Sequence, residues 1–487
     1  MGERPAAGRP VTLDPEDWRE LRAQGHRMLD DVLDYLEHIR VRPVWQPMTP
    51  ELRNRFRAEL PTAPSDLAAV HDEFMRDILP YATGNAHPAF MGWVHGGGNP
   101  AGMLAEMLAA GLNANLGGRD HAPIEVERQI VQWTRTLFGF PETASGLFVT
   151  GTSTANLIGV LVARTAALGS GVRRKGVASA LGRLTAYASA ATHGCIAQAM
   201  DLSGLGFEAL RVIATDDRHR IDLEALRAAI AADRRAGFTP FLVVGTAGTV
   251  DIGAIDDLGG LADLAQREGL WFHVDGAFGA LAILAPDLAP RLSGIERADS
   301  LAFDFHKWGQ VPYDAGFILV RDETLHRGTF ASPAAYLRRE CRGLAAGSLW
   351  PCDFGPDLSR GFRALKTWFT LKVHGTERIG AVISRTCALA QYLRRRIEAT
   401  PELQLMAPVQ LNIVCFGYRS DAAHEINGEI VADLQEAGIA APSTTTIDGR
   451  LAIRAAIVNH RTEERDLDTM LEAVLAFGAR REQSRAA

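Results

Sequence analysis

Between about residues 146 and 321 the chain alternates short apolar runs with segments of helical period. The apolar runs, rich in β-branched and aromatic residues, cover 146–149, 184–188, 210–214, 241–246, 270–274, 300–305 and 317–320. The connecting segments with helical period are 153–168, 222–235 and 257–268. Strands that alternate with helices predict a mostly parallel, twisted sheet covered on both faces. Because ligands of such sheets bind in the loops outside the strand ends, side chains at those ends are the candidates for chemistry.

The segments on either side of this region show other patterns. Apolar residues from Trp18 to Ile39 recur at helical spacing, which predicts an amphipathic helix that has Asp14 as its N-cap and needs a partner surface. After residue 370, helical period and apolar runs at 411–416 and 451–457 predict a smaller α+β unit. We therefore predict a helical segment at 1–85, a large domain at 86–370 and a small domain at 371–487.

Charge and cysteine content narrow the classes of partner and compartment. The chain has 51 Lys and Arg residues against 58 Asp and Glu residues, a net charge of −7. This balance argues against a nucleic-acid or an anionic-membrane partner. The five cysteines are scattered without a Cys-x-x-Cys pair, and the sequence shows neither a signal-peptide pattern nor 18 consecutive apolar residues. A cytoplasmic protein that does not span a membrane is therefore expected.

Lysine is scarce, since only four of the 51 basic residues are lysines. Arginine supplies the charge elsewhere, but arginine cannot form an imine, so each lysine is a candidate for amine chemistry. Lys307 follows a predicted buried strand, where desolvation of an ammonium group favours the reactive neutral amine. Lys175, Lys366 and Lys372 lie in polar or helical contexts and are expected to be surface charges. Lys307 is therefore the candidate nucleophile.

Three other strand ends carry polar side chains of complementary types. Asp275 ends an apolar strand, where a carboxylate needs a cation such as a protonated pyridine nitrogen; the alternative is a structural cap of the next helix. Thr152, Ser153 and Thr154 follow a strand and open a helix, which suits a phosphate group, although such residues are also ordinary N-caps. His193 follows another strand and could stack on a flat ring, or serve as a structural histidine.

These side chains are informative mainly in combination. An amine, a carboxylate for a ring nitrogen, a phosphate cradle and a stacking imidazole at the ends of different strands are the parts that a pyridoxal phosphate (PLP) site requires. A zinc site built from His193, His273 and His306 is disfavoured, because no two of them have the spacing of a metal-binding pair on one helix. The sequence therefore predicts pyridoxal phosphate as the cofactor and no metal.

Several motifs resemble those of a known enzyme family. The matching segments are His87-Pro88-Ala89-Phe90, Gly151-Thr152-Ser153-Thr154-Ala155-Asn156, Gly245-Thr246-Ala247-Gly248-Thr249, His273-Val274-Asp275-Gly276-Ala277, His306-Lys307-Trp308 and Arg360-Gly361-Phe362-Arg363-Ala364-Leu365-Lys366. Through them the chain resembles the group II PLP-dependent amino-acid decarboxylases from about His87 to Arg465. The resemblance implies an α/β protein of PLP fold type I, the aspartate-aminotransferase-like fold, with a mostly parallel seven-stranded sheet. It also implies a homodimer in which the N-terminal helices pack on the partner and both subunits line each active site.

The resemblance further implies roles for individual positions. Lys307 would be the Schiff-base lysine, Asp275 the partner of the pyridinium nitrogen, and His193 the stacking residue and a candidate acid. The residues around the phosphate and the ring would be Thr152, Ser153, Thr154, His306, Asp304, Thr246 and Ala277. The residues that contact the substrate would be Trp93, His95 and Arg454.

Two departures from the family pattern bear on the product and the substrate. No tyrosine lies between Tyr336 and Tyr392, and an ungapped match puts Trp350 where most aromatic-type members carry a loop tyrosine that delivers the last proton. In plant relatives a phenylalanine at that site accompanies oxidative decarboxylation-deamination to an aldehyde. Trp93 and His95, with three glycines after them, replace a Tyr-Phe-Pro-Thr stretch of the substrate pocket. The tryptophan suits an aromatic substrate, whereas the histidine and glycines suit a polar one.

We therefore expect PLP-dependent decarboxylation of an L-amino acid, with aromatic substrates favoured, to the amine and CO2. One alternative is an aldehyde synthase that consumes O2. Another is a decarboxylase of diamino or acidic amino acids, because Asp304 replaces a commoner asparagine as in some diamino-acid decarboxylases. A cofactor-binding protein without turnover is the third, and the presence of both Lys307 and Asp275 argues against it.

Overall fold

The computed structural model describes residues 12–178, 183–332, 338–347, 349–420 and 423–486. Its strands form one sheet of seven strands and one of five. In chain order the strands are β1 Phe90–Met91, β2 Ser145–Val149, β3 Leu184–Ser189, β4 Leu210–Ile213, β5 Thr239–Thr246, β6 Trp271–Asp275, β7 Ser300–Asp304, β8 Gly316–Val320, β9 Leu403–Leu405, β10 Ile413–Tyr418, β11 Ala441–Ile447 and β12 Arg450–Ala456.

The seven-stranded sheet has the strand order β2-β8-β7-β6-β5-β3-β4. Neighbours from β7 to β4 pair in parallel, whereas β8 is antiparallel to both β7 and β2. This confirms the predicted α/β fold with a mostly parallel sheet, and each of the seven predicted strands is present. With β8 reversed between them, β2 and β7 run in the same direction. The carboxyl ends of β2, β3, β5, β6 and β7 therefore meet at one edge of the sheet.

Fourteen α-helices surround the two sheets in the described ranges. They are α1 Trp18–Glu37, α2 Pro50–Arg55, α3 Leu67–Glu73, α4 Pro100–Leu112, α5 Ala122–Phe138, α6 Thr152–Leu168, α7 Val172–Lys175, α8 Cys195–Leu202, α9 Leu223–Arg235, α10 Leu258–Glu268, α11 Glu323–Phe330, α12 Arg363–Glu398, α13 Ala423–Glu436 and α14 Glu464–Ala486. The predicted helices that connect the strands correspond to α6, α9 and α10. No helix within the described ranges has the length and apolar character needed to cross a bilayer.

The helix α1 begins later than predicted. Its N-cap is Asp17, whose carboxylate accepts a hydrogen bond from the Arg19 backbone N–H at 2.7 Å, so the prediction of Asp14 as N-cap is wrong. Asp14 instead receives a local bond from the Thr12 hydroxyl. None of the 20 residues of α1 is fully buried, although the helix is amphipathic. Its apolar face is therefore only partly covered within one chain.

The helix α6 lies against the large sheet and brings its first turn to the carboxyl edge. Its buried face consists mainly of small and β-branched residues, namely Thr152, Ala155, Asn156, Ile158, Gly159, Val160, Val162, Ala163 and Thr165. Small side chains allow a helix to approach the strands closely. On the other side of the sheet, Phe148, Phe303, Phe305 and Phe317 pack with ring centroids 4.9–5.7 Å apart. The strand ends that carry the polar residues are thus held by a rigid core.

The five-stranded sheet has the order β1-β11-β12-β10-β9. It contains β10 and β12, near the two predicted strands, and three strands that were not predicted. The strand β11 escaped prediction because its Ser-Thr-Thr-Thr segment lacks an apolar run. The division at residues 85 and 370 stays a prediction. Within the structure β1 joins the small sheet, and α12 runs through position 370.

Candidate active site

A cavity of about 400 Å³ opens at the carboxyl edge of the large sheet. Loops after β2, β3, β5, β6 and β7 contribute to its wall, as do residues just after β1. The residues that line it are Trp93, Val94, His95, Thr150, Gly151, Thr152, Ser153, His193, Cys195, Thr246, Gly248, Val250, Asp275, Ala277, Phe278, Asp304, His306, Lys307 and Tyr313. The fold thus brings together eleven of the thirteen site residues predicted from the sequence; Thr154 and Arg454 do not line the cavity.

Lys307 lies immediately after β7 and faces a buried carboxylate. Its Nζ is 3.0 Å from Asp304 Oδ2, and His306 Nε2 is 3.6 Å from the same oxygen. The His306 ring is held from its other side, because Nδ1 accepts a hydrogen bond from the Ala315 backbone N–H at 3.0 Å. Burial lowers the pKa of His306, which favours a neutral ring beside Asp304. The amine is therefore oriented into the cavity by a fixed anion.

Asp275 ends β6 and is 3% exposed. Its Oδ1 accepts a hydrogen bond from the Ala277 N–H at 3.1 Å, and its Oδ2 accepts one from Asn156 Nδ2 at 3.0 Å. Burial raises the pKa of this carboxyl, and Lys307 opposes the rise. The donors around Asp275 are thus neutral, and no cation lies in direct contact with it among the described residues. A carboxylate in this position favours a ligand that brings a positive charge.

The N-terminus of α6 forms another part of the wall. Its N-cap residue is Gly151, and no side chain of the described ranges caps it. The Thr152 hydroxyl is buried and has no hydrogen-bond partner in the described structure, and the same is true of Asp304 Oδ1. Ser153 is exposed and lines the cavity, whereas Thr154 does not line it and shares a hydrogen bond with the hydroxyl of the lining residue Thr150 at 3.1 Å. A free hydroxyl at the positive end of a helix can hold an anionic group.

The other residues predicted to contact the cofactor ring are His193, Thr246 and Ala277, which also line the cavity. His193 lies in the exposed turn after β3, where its Nδ1 accepts the Cys195 backbone N–H at 3.2 Å. Thr246, at the end of β5, lies beside Asp275 in the sheet register, and its hydroxyl is 3.3 Å from that of Thr192. Ala277 presents a small side chain to the cavity two residues after Asp275. A flat ring between His193 and Ala277 would meet no bulky side chain from β6.

The mouth of the cavity is aromatic. The rings of Phe90, Trp93 and His95 form a cluster in which His95 lies 5.7 Å from each of the other two and Phe90 lies 6.2 Å from Trp93. The His95 ring also makes an edge contact with Tyr313 at 5.9 Å. The Tyr313 ring also lies 4.2 Å from that of His306. Burial lowers the pKa of His95, and Lys307 adds to the effect, so His95 is a neutral ring here. Reasoning from the sequence missed Tyr313, because nothing in its local pattern shows that its loop folds back over His306.

Two of the three glycines after His95, Gly96 and Gly97, serve packing. A Cβ at Gly96 would come within 2.3 Å of the His306 carbonyl oxygen and 2.5 Å of that of Lys307. A Cβ at Gly97 would come within 2.8 Å of the Asn459 side chain. Close backbone approach, and not a polar substrate, therefore accounts for these two glycines.

Arg454 lies outside the cavity. Its side chain is buried, and its guanidinium donates to the Trp93 carbonyl at 2.9 Å, to the Asp251 carbonyl at 3.1 Å, to Ser443 Oγ at 3.2 Å and to the carbonyl of Val250. The structure thus places Arg454 behind Trp93, where it fixes the backbone of the cavity mouth. The prediction that it contacts the substrate finds no support in this placement.

Lys366 is not the surface charge that the sequence suggested. It is 1% exposed, and its Nζ donates to the Tyr313 carbonyl at 2.9 Å and lies 3.0 Å from Glu106 Oε2. Arg363, one turn earlier on α12, pairs with Asp314 at 3.0 Å. These two cations hold the loop that carries Tyr313. The motif at 360–366 therefore helps to position the Tyr313 loop, a role that the sequence alone did not show.

Trp350, at the position of the loop tyrosine in the ungapped match, is buried. Its indole N–H donates to the Ala346 carbonyl at 3.1 Å, and the guanidinium groups of Arg119 and Arg339 lie 4.6 Å and 4.3 Å from its ring centroid. Cation–π contacts on a buried indole hold a side chain firmly. Trp350 therefore acts as an anchor of its segment and offers no acidic hydroxyl to a ligand.

An amine at the end of β7 and a buried carboxylate at the end of the neighbouring β6 share one cavity, with a helix N-terminus opposite. On this sheet order, that placement defines the class of PLP-dependent enzymes of fold type I.

Comparison with known proteins specifies the family. The model of the pyridoxal-dependent decarboxylase conserved domain matches residues 50–419. An aromatic-L-amino-acid decarboxylase of Bacillus atrophaeus is 33% identical over 94% of this chain and 95% of its own length. A phenylacetaldehyde synthase of Arabidopsis thaliana is 28% identical over 94% of this chain and 96% of its own. The crystal structure of Oryza sativa TDC with PLP and tryptamine matches with a TM-score of 0.88 at 27% identity, covering 96% of this chain and 99% of that one.

The chain belongs to the group II PLP-dependent amino-acid decarboxylases. The predictions of this family, of fold type I and of pyridoxal phosphate as the cofactor are confirmed.

Proposed function

We propose that this protein releases CO2 from an aromatic L-amino acid and leaves the corresponding amine, with the cofactor attached to Lys307. The observation that carries the aromatic preference is the mouth of the cavity, where Trp93, His95 and Tyr313 offer aromatic surface beside Lys307. Among the described lining residues there is no arginine for an acidic side chain, and the carboxylate of Asp304 already pairs with Lys307. These contacts argue against the acidic and diamino alternatives.

The residues present fit pyridoxal phosphate. The buried Thr152 hydroxyl without a partner, next to Ser153 at the N-terminus of α6, would hold the phosphate. Asp275 would hold a protonated ring nitrogen, which supplies the cation that this buried carboxylate lacks. His193 would cover one face of the ring, with Thr246 and Ala277 beside it, and His306 would lie near the phosphate end with Asp304. Thr154 is left out of this set, because its hydroxyl bonds to Thr150.

The chemistry divides between cofactor and protein. When bound, pyridoxal phosphate supplies an electron-accepting ring for the electron pair that CO2 leaves behind. Asp275 would keep a proton on the ring nitrogen, and Lys307 would supply the amine that holds the cofactor covalently. Asp304 orients the Lys307 amine. His193, exposed at the open side of the cavity, is the proposed carrier of the proton that completes the product.

A substrate panel tests the proposal. CO2 release should be fastest with aromatic L-amino acids, and Trp93→Ala should raise KM for them by about five- to tenfold, because one stacking surface is lost. The measurement is 14CO2 release with product mass. Phe207→Ala is the matched control, since Phe207 is equally exposed but precedes β4 at the far edge of the sheet. Faster turnover of glutamate or of a diamino acid would contradict the aromatic assignment.

The aldehyde synthase is kept as a second candidate because of Trp350. With no tyrosine between Tyr336 and Tyr392, and with Trp350 buried, the usual loop hydroxyl is missing. The same assay run with an oxygen electrode separates the two outcomes. An amine product without O2 uptake supports the decarboxylase, whereas equal amounts of CO2 and aldehyde with O2 consumed would identify the synthase.

We also propose a homodimer in which the N-terminal helices pack on the partner. Its support is the incomplete burial of α1 and the exposed apolar side chains of Val70, Phe74 and Ile78 in the same segment. Wild-type protein should sediment as a dimer, and Val70→Glu combined with Ile78→Glu should weaken dimerisation at least about tenfold, because two charges enter an apolar contact. Val212→Glu, on the exposed edge strand β4, is the control. A monomeric wild type would contradict the proposal.

The cytoplasmic location expected from the sequence also stays a prediction. Cell fractionation with an antibody against the full chain would test it.

A further inference from the structure

Behind Asp275, a row of hydrogen-bonded polar side chains, called the file below, leads away from the cavity. Asn156 Nδ2 lies 3.0 Å from Asp275 Oδ2, and Asn156 Oδ1 lies 2.8 Å from His273 Nε2. His273 Nδ1 lies 2.7 Å from Ser300 Oγ, which in turn lies 2.8 Å from Trp271 Nε1. Asn156, His273 and Ser300 are each 0% exposed. These three residues thus join α6, β6 and β7 inside the core, and Trp271 at the far end of the file is partly exposed.

The donor and acceptor properties of these groups give the file one direction. Asn156 Nδ2 donates to Asp275 Oδ2, so the other end of the amide, Oδ1, is an acceptor and takes the hydrogen of His273 Nε2. A neutral imidazole with its hydrogen on Nε2 has Nδ1 as an acceptor, which receives the hydrogen of the Ser300 hydroxyl. Ser300 Oγ in turn accepts the indole N–H of Trp271. Every link points a donor at the next acceptor and ends on the carboxylate.

We propose that Ser300, His273 and Asn156 are positioning residues that hold Asp275 as an ionised carboxylate for the cofactor's ring nitrogen. The inference rests on the proposed pairing of Asp275 with that nitrogen. A reversed file would turn the amide oxygen of Asn156 toward Asp275 Oδ2. Two acceptors would then face each other, and Asp275 would have to bind a proton, which removes the charge that the ring nitrogen needs.

The packing around His273 supports a fixed ring. A Cβ at Gly159 on α6 would come within 2.7 Å of His273 Cε1 and 2.8 Å of Nδ1, so only glycine leaves room for the imidazole there. Burial lowers the pKa of His273 to about 3, which keeps the ring neutral and preserves its one donor and one acceptor. Glycine in a helix interior costs stability relative to alanine, which indicates that the space itself is needed.

Other titratable groups face Asp275 from the elements packed around it. They are Lys307 and Asp304 from the end of β7, and His193 and Cys195 from the turn before α8 and its first residue. Burial raises the pKa of the Cys195 thiol to about 12, so this group stays neutral. Lys307 opposes the burial effect on Asp275, but it is itself consumed when the cofactor binds covalently. The protein groups that then support the negative charge are the neutral donors, namely the Ala277 N–H on Oδ1 and the file on Oδ2.

The chain offers a matched pair of variants. Ser300→Ala removes the link that fixes the His273 tautomer. Ser145→Ala removes an equivalent buried hydroxyl on β2, away from the cavity. That hydroxyl is hydrogen-bonded to His326 Nδ1 at 2.8 Å. Both should lower the melting temperature similarly. Only Ser300→Ala should weaken the binding of pyridoxal phosphate to the apoprotein, by about tenfold, the effect of one buried hydrogen bond left unmade. Equal dissociation constants for the two variants would overturn the proposal.

A second variant gives a signature in pH. In Asn156→Asp the new carboxyl donates to Asp275 only when it is protonated, so binding of pyridoxal phosphate should weaken relative to wild type as pH rises, by at most about tenfold for each pH unit. A purely structural defect would weaken binding by the same factor at every pH, and that result would count against the proposal. If Asp275→Asn itself leaves the affinity unchanged, the proposed role of Asp275 fails. If it lowers the affinity while Ser300→Ala matches Ser145→Ala, only the positioning role fails.

Discussion

Lys307→Ala is expected to lower CO2 release by more than about a thousandfold and to abolish covalent attachment of the cofactor, because it removes the one lysine amine among the described residues that line the cavity. Lys307→Arg should be equally inactive. It keeps a cation beside Asp304, whose Oδ2 lies 3.0 Å from Lys307 Nζ, but arginine cannot form an imine. The direct measurement is borohydride reduction of the holoenzyme followed by peptide mass mapping, which should place the cofactor mass on the peptide that contains Lys307.

The three other lysines make this test discriminating. Lys175 and Lys372 are both exposed, and Lys175→Ala should leave both activity and labelling unchanged. Lys366 is the serious rival, since its Nζ is only 2.9 Å from the carbonyl of the cavity residue Tyr313. Its ion pair with Glu106 makes it a structural cation. If the reduced cofactor were found on Lys366, or if Lys307→Ala still released CO2, the assignment of Lys307 would be wrong.

The sequence could predict the strand ends of the large sheet because the responsible signals are local. Short apolar runs identify the strands, and the polar residue that follows each run must then lie at the carboxyl edge. Lys307 and Asp275 were found in this way, since each directly ends or follows such a run. The same reasoning could have identified Asn156 as a residue that faces the sheet. It lies one helical turn after Thr152 and so shares the sheet-facing side of α6 with it.

Other contacts depend on tertiary packing and left no local signal. Arg454 lies on β12, and only the approach of the loop at 250–251 shows that backbone carbonyls occupy its guanidinium. Lys366 lies on a helix whose pattern suits a surface charge, yet α4 supplies Glu106 and covers it. The aromatic mouth likewise forms where Tyr313 meets His95, more than two hundred positions away in the sequence. Such pairings follow from the assembled fold and not from spacing.

The second large effect concerns Asp275. Asp275→Asn keeps the shape of the side chain and removes its charge, and it should weaken pyridoxal phosphate binding by about 3–5 kcal/mol, at least roughly a hundredfold, because a buried ring cation would lose its partner. Fluorescence titration of the apoprotein measures the dissociation constant. Asp233→Asn is the control, since Asp233 is also buried but pairs with Arg211 near β4. An unchanged affinity in Asp275→Asn would contradict the proposed contact with the ring nitrogen.

The pKa of Asp275 also predicts the direction in which stability and cofactor affinity change with pH. Burial raises the pKa of Asp275, so its ionised form costs stability in the apoprotein, and that cost appears as pH rises above the ordinary carboxyl range. Cofactor binding has the opposite dependence, because only ionised Asp275 attracts the ring cation. The affinity of wild type relative to Asp275→Asn should therefore increase with pH through the raised pKa, and the ratio cancels the titration of the cofactor's phosphate, which both proteins bind alike. At neutral pH the variant apoprotein should lose less than about 1 kcal/mol of stability, since relief of the buried charge offsets one weakened hydrogen bond. If Asp275 served only the stability of the fold, the result would be the reverse. Asp275→Asn would then destabilise the apoprotein and leave the affinity for pyridoxal phosphate unchanged.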